Sequence, residues 1–192
     1  MNLEASIANL ERRKRDLESY SFIINNCYST DVSCDEAFQR KFTHFYRVRR
    51  NSIWRKSYYQ LFENSKSSEN LSFEVILRSI YESTGRIEAS FSSKMLAKIN
   101  PEMPIWDSIV LSKLHLKLAQ NSEKEVRLQK ATVIYADIVR WYERFLCSAE
   151  AQVFLSEFDQ AFPEYIGFSK TKKVDFLIWS SGDTDLFRET LI

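Results

Sequence analysis

Residues 122–146 read SEKEVRLQKATVIYADIVRWYERFL, and the spacing of their apolar side chains decides the fold class. Ala131, Ile134, Ile138, Trp141 and Phe145 recur at intervals of three and four, the repeat of one helical face. Leu128, Tyr135, Val139, Tyr142 and Leu146 form a second stripe beside the first. Two apolar faces predict a long, central, largely buried helix. Ser122 and Glu125 would open it as a capping box, each satisfying the other's free backbone amide.

The same periodicity continues outward. Leu3, Ile7, Leu10 and Leu17 predict a first helix over about residues 2–19, and Ser33 with Glu36 reads as a second capping box. In the helix that follows, Phe38, Phe42 and Phe45 fall on one side and Arg40, His44 and Arg47 on the other. Another helix takes 53–62. The polar stretch 63–72 reads as a loop ending in the N-cap Ser72, and Phe73, Ile76, Leu77, Ile80 and Tyr81 then stripe a helix that stops before Gly85. Helices are predicted over 90–100 and 148–161, with Pro101 and Pro104 forcing a non-helical connection before Asp107 starts a new one. The last, around 172–179, carries Val174, Phe176, Leu177, Ile178 and Trp179 and should dock on the body with its lysines facing solvent.

Composition agrees. Among 192 residues there are three Gly and three Pro, too few turn-formers for a β-sandwich or a doubly wound sheet, while 44% hydrophobic and 14% aromatic residues suffice for a core. The expectation is a compact, multi-helix, all-α single domain spanning residues 1–192.

Several function classes drop out. Cys27, Cys34 and Cys147 are odd in number and lack paired metal-ligand spacing, so neither a disulfide framework nor a zinc site follows, and a reducing, cytoplasmic setting is expected. The charged N-terminus lacks the pattern of a secretory signal, and no apolar run approaches the roughly 20 residues of a membrane span. Two distant histidines give no metal motif, no glycine-rich loop cradles a phosphate, and no local signature marks a serine or cysteine hydrolase. No metal or other cofactor is implied.

Charge is distributed unevenly behind a formal net value of +1. Residues 37–62 hold seven cations, among them Arg47, Arg50, Arg55 and Lys56, and not one Asp or Glu. In HFYRVRRNSIWRKSYYQLF these four can meet successive phosphates, while Tyr46, Trp54, Tyr58 and Tyr59 either fill the core or contact a flipped base. Nucleic acid is the partner this pattern suggests, with affinity that carries no sequence preference.

The block TGRIEASFSSKMLAKINPEMPIWDSIVLSKL, residues 84–114, orders a turn, a helix bearing Lys94, a proline-bounded loop and a helix that begins at Asp107. It resembles the helix-hairpin-helix DNA glycosylases, and among them a divergent 8-oxoguanine glycosylase. In that family a Lys opens the second helix of the hairpin and an Asp begins the following helix; Trp106-Asp107-Ser108-Ile109-Val110 is similar to their Val-Asp-x-x-Val run. About thirty residues match closely. Ser90 and Ser92 stand where the family carries two glycines, whose backbone angles serine does not all reach, and thirteen residues from Lys94 to Asp107 is a shorter interval than the family's.

The resemblance implies base excision from DNA: a nucleotide is flipped from the stack and its glycosidic bond broken in a closed pocket. Lys94 would be the nucleophile, attacking the sugar C1′ as a neutral amine, a form favoured by burial or by a neighbouring cation such as Arg86 or Lys98. Asp107 would stay ionised, stabilise positive charge on the sugar and help relay protons. Arg86, Ser92 and Ser93 would join the four cations in holding DNA, and Trp106 would join Tyr46 and Trp54 as a ring near the base. The alternative is a non-catalytic helical module that binds DNA or protein on the same scaffold.

Overall fold

Ten α-helices and one 3-10 turn make up the ordered elements of the computed structural model, which describes residues 3–118 and 123–181; no strand occurs among them. The all-helical class read from apolar spacing is therefore the observed one. The chain divides into two compact units, one drawn from Met1–Arg13 and Pro101–Ile192, the other from Lys14–Asn100.

The Lys14–Asn100 unit holds α2 (Lys14–Asn26), α3 (Glu36–Phe45), α4 (Ser52–Ser65), α5 (Phe73–Thr84) and α6 (Ala89–Ile99). Its starts are fixed by side-chain caps: Asp35 accepts the Phe38 amide, Asn51 the Trp54 amide and Ser72 the Val75 amide. Ser33 is not the cap of α3. Its amide and hydroxyl both donate to Asp31 Oδ1, at 2.9 and 2.6 Å, and Asp35, directly before the helix, takes the capping role. Helix α5 stops at Gly85, whose φ of 69° is the left-handed conformation glycine adopts without strain.

Helix α3 ends differently. Arg47 has φ 49°, with its amide donating to His44 O and the Val48 amide to Thr43 O, the paired bonds of a Schellman motif built on a non-glycine residue. The core of this unit is aromatic. Phe42 is its hub, with ring centres of Tyr46 at 4.7 Å, Tyr59 at 5.8 Å and Phe38, Tyr58 and Phe62 at 5.9 Å.

The other unit holds α1 (Leu3–Glu11), α7 (Ser108–Lys113), α8 (Lys124–Leu146), α9 (Ala149–Ala161), a 3-10 turn (Pro163–Tyr165) and α10 (Lys170–Ser180). The expected first helix over 2–19 is thus two helices. The chain turns at Arg12 and Arg13, and α1 joins one unit while α2 joins the other. Leu10 and Leu17 are both fully buried and lie a heptad apart, so the apolar stripe runs through a break that periodicity does not register.

Two further expectations change here. Helix α8 buries one face, through residues such as Leu128, Tyr135, Ile138 and Trp141, while Val133, Arg140 and Glu143 are exposed, so it is amphipathic and not central. The central helix of the unit is α10. It packs against α1, α7, α8 and α9, and every residue from Thr171 to Ile178 is buried. Lys172 and Lys173 are therefore buried, not solvent-facing. Ser122, the expected cap of α8, lies outside the described residues.

Candidate nucleic-acid interface and reactive side chains

The segment of seven cations folds into α3, the turn after it and α4, and Lys94 follows on α6, all within the Lys14–Asn100 unit. Arg47 and Lys56 are exposed and Arg55 partly so, with no carboxylate within ion-pair distance of the three among the described residues. Arg55 and Lys56 line one wall of a groove of about 500 Å³ whose other wall, on α3, carries Arg40 and His44.

Arg50 has a different fate. Its guanidinium grips Glu88 with Nε at 2.8 Å from Oε1 and Nη2 at 3.0 Å from Oε2, and Arg86 Nε reaches the same Oε1 at 2.9 Å. Glu88 is 8% exposed, so one buried carboxylate ties down two of the expected DNA-binding cations. No acid occurs in 37–62, yet a tertiary contact brings one to it. Local spacing carries no sign of that pairing.

The aromatic residues are core. Tyr46, Trp54, Tyr58 and Tyr59 are all buried, and Trp54 stacks on Tyr58 with ring centres 4.9 Å apart. Tyr59 donates to Gln39 O at 3.1 Å and pairs with the Thr43 hydroxyl at 3.0 Å; burial pushes its phenol up to about 12. Ser92 and Ser93 are fully buried, and their hydroxyls donate to Glu88 O and Ser90 O, which turns them inward from any phosphate.

Lys94 is 9% exposed. Its ammonium donates to Ser90 Oγ at 2.9 Å and lies 5.1 Å from the Phe91 ring centre and 5.3 Å from that of Tyr46. One turn on, Lys98 is 1% exposed, with its ammonium 3.9 Å above Tyr20 and 5.8 Å from the same Tyr46 ring. Two lysines of one helix thus share an aromatic neighbour, a feature the i, i+4 spacing on an apolar helix signals in retrospect.

Asp107 belongs to the other unit and caps α7, its Oδ1 accepting the Ile109 amide at 2.7 Å. Trp106 beside it is buried. In the same unit Tyr142 of α8 donates to Asp175 Oδ1 at 2.5 Å, and Lys172 Nζ stands 3.6 Å from Asp175 Oδ2. Burial holds the Lys172 ammonium below its ordinary range, opposed by the Asp175 carboxylate and by the charge of Asp107. Burial, then Asp175, pushes the Tyr142 phenol far up. This buried cluster was missed because Lys172 and Asp175 look like an ordinary surface pair three residues apart, while Tyr142 lies thirty residues away.

Among the described residues no group of three metal-ligating side chains gathers, and no helix is long and apolar enough to cross a membrane. No protein-family model matches the sequence, and no curated protein or solved structure matches it either.

Proposed function

We propose that this chain binds DNA and acts on it as a base-excision enzyme of the helix-hairpin-helix glycosylase type, with Lys94 as nucleophile and Asp107 as the ionised carboxylate. The observation that carries this is the surroundings of Lys94. A lysine kept only for solubility extends into water, whereas this one is 9% exposed and held by a serine hydroxyl between two aromatic rings. It lies in the same unit as the cationic faces of α3 and α4.

In the reaction, Nζ of Lys94 bonds to C1′ as the bond from C1′ to the base nitrogen breaks. The electron pair departs with the base, which takes up a proton. Loss of the amine proton and opening of the sugar ring leave an iminium between Lys94 and the strand. Opposing the positive charge that builds on the sugar is the role that the family resemblance gives to Asp107.

The capping role of Asp107 favours the second reading, a non-catalytic DNA-binding module, because an N-cap alone accounts for a carboxylate at that place. Borohydride trapping separates the two. Treated with DNA carrying an abasic site or a modified base, the enzyme gives a covalent adduct that Lys94→Gln abolishes and Asp107→Asn strongly reduces. Tight DNA binding with no adduct, or an adduct that survives Lys94→Gln, rejects the catalytic assignment.

A further inference from the structure

We infer that the groove between α3 and α4 seats the phosphodiester backbone of duplex DNA. Seating the backbone here belongs to the DNA-binding half of the function proposed above and does not depend on the chemistry at Lys94.

The groove is made by two facing helical stripes. From α3 come Glu36, Gln39, Arg40, Thr43 and His44, positions that share one side at spacings of three and four; from α4 come Ser52, Arg55, Lys56 and Tyr59 on the same rule. Its volume of about 500 Å³ is enough to admit a strand's phosphate and sugar. Arg40, Arg55 and Lys56 bring three fixed positive charges against the single carboxylate of Glu36, so the field inside is that of an anion site.

Each polar group of the floor is committed elsewhere. Tyr59 and Thr43 bond to each other, Tyr59 also donates to Gln39 O, and the Gln39 amide donates to Val32 O and Ser33 O at 2.9 Å. The cations are not so committed. Arg55 and Lys56 have no ion-pair partner among the described residues, and Arg40 meets Glu36 at 3.1 Å in a pair whose side chains are 72% and 85% exposed. A pair that exposed is screened by solvent, contributes little and exchanges readily for a phosphate.

The strandedness of the occupant follows from what the groove lacks. Tyr59, the large ring of its lining, is 1% exposed and presents no face for a base to stack on. Single strands are held by such stacking together with charge. His44 alone adds a small exposed imidazole face beside the three cations, so contacts to the backbone dominate, and a duplex, with its bases already stacked, loses nothing by that.

Fluorescence anisotropy of the full chain with a short undamaged duplex, titrated at several salt concentrations, tests the assignment. The double substitution Arg55→Ala, Lys56→Ala flattens the slope of log affinity against log salt by about 1.8, at about 0.9 for each phosphate no longer neutralised. Glu36→Gln releases Arg40 and steepens the slope by up to about 0.9. Arg78→Ala on α5, whose guanidinium pairs with Glu74, leaves the slope as it was. An unchanged slope in a double variant that keeps its thermal stability overturns the proposal. So does tighter binding of a single strand than of the duplex, or weaker binding by Glu36→Gln. If no borohydride adduct forms yet the double variant still loses its slope, the groove stands and the chemistry alone falls.

Discussion

Replacing Glu88 by glutamine keeps the shape of the side chain and removes its charge, and the expected consequences run in opposite directions for folding and for DNA. The carboxylate accepts three guanidinium N–H bonds, two from Arg50 and one from Arg86, at 2.8 to 3.0 Å. Bonds to charged groups contribute roughly 1.5–3 kcal/mol each when shielded from water. The Arg50 and Arg86 side chains are 28% and 58% exposed, so solvent screens much of that, and the glutamine carbonyl still accepts one donor. A loss of about 2 kcal/mol remains, which lowers the melting temperature by about 6 °C in a chain of this size.

The DNA effect has the other sign. With Glu88 ionised the three side chains carry a net +1, and without it +2, with both guanidiniums released to meet phosphates. Affinity for duplex rises at low salt, and the salt slope steepens by up to about 1.8 if each guanidinium finds a phosphate. Urea unfolding paired with anisotropy titrations of one preparation measures both. A variant as stable as the parent refutes the buried three-way contact, and a destabilised variant whose DNA binding is unchanged refutes the view that Glu88 withholds cations from DNA.

Arg47→Gly should stabilise the protein while weakening DNA binding. A left-handed non-glycine residue costs about 1–2 kcal/mol, and the greater freedom of glycine in the unfolded chain takes back about 0.5–1, leaving a net gain of about 0.5–1 kcal/mol at this φ of 49°. Arg47→Lys, which keeps the charge and the strain, should change neither quantity; a glycine variant less stable than the parent in urea would falsify the strain argument. Tyr59→Phe addresses alkaline stability. The folded phenol, near 12, lies above its ordinary 10, so its stabilisation is complete below pH 10 and is lost as pH rises through 12, about 3 kcal/mol in all. The variant gives up the bonds to Gln39 and Thr43, about 1 kcal/mol at neutral pH, and should lose less stability than the parent between pH 10 and 12. Equal losses in unfolding curves recorded across that range would show that Tyr59 is not the group responsible.

Local chemistry wrote much of the helical plan in advance. Ser72, Gly85 and Asp107 sit at the helix ends where their side chains or backbone freedom suit them, because a cap is satisfied by atoms two or three residues away. Phe38 and Phe42 of α3 are buried as their spacing required, while Phe45 at the helix end is half-buried. Arg40 and His44 were legible as the opposite face of that helix, but the groove they form with Arg55 and Lys56 was not, since a concavity depends on how a second helix is placed.

By itself, then, the sequence determined that the chain is helical, where most of its helices begin and end, and that its cations concentrate between Arg40 and Lys56, since those properties depend on neighbours within a turn or two. Tertiary structure alone decided which helix lies at the centre of its unit. The stripes of α8 pointed to α8, but burial belongs to the assembly of helices, and α10 is enclosed by four of them although two of its three lysines and its aspartate are buried there. It also decided which cations keep their charge at the surface: Glu88, thirty-eight residues along the chain from Arg50, cancels what no local pattern could, because electrostatic pairing follows distance in space.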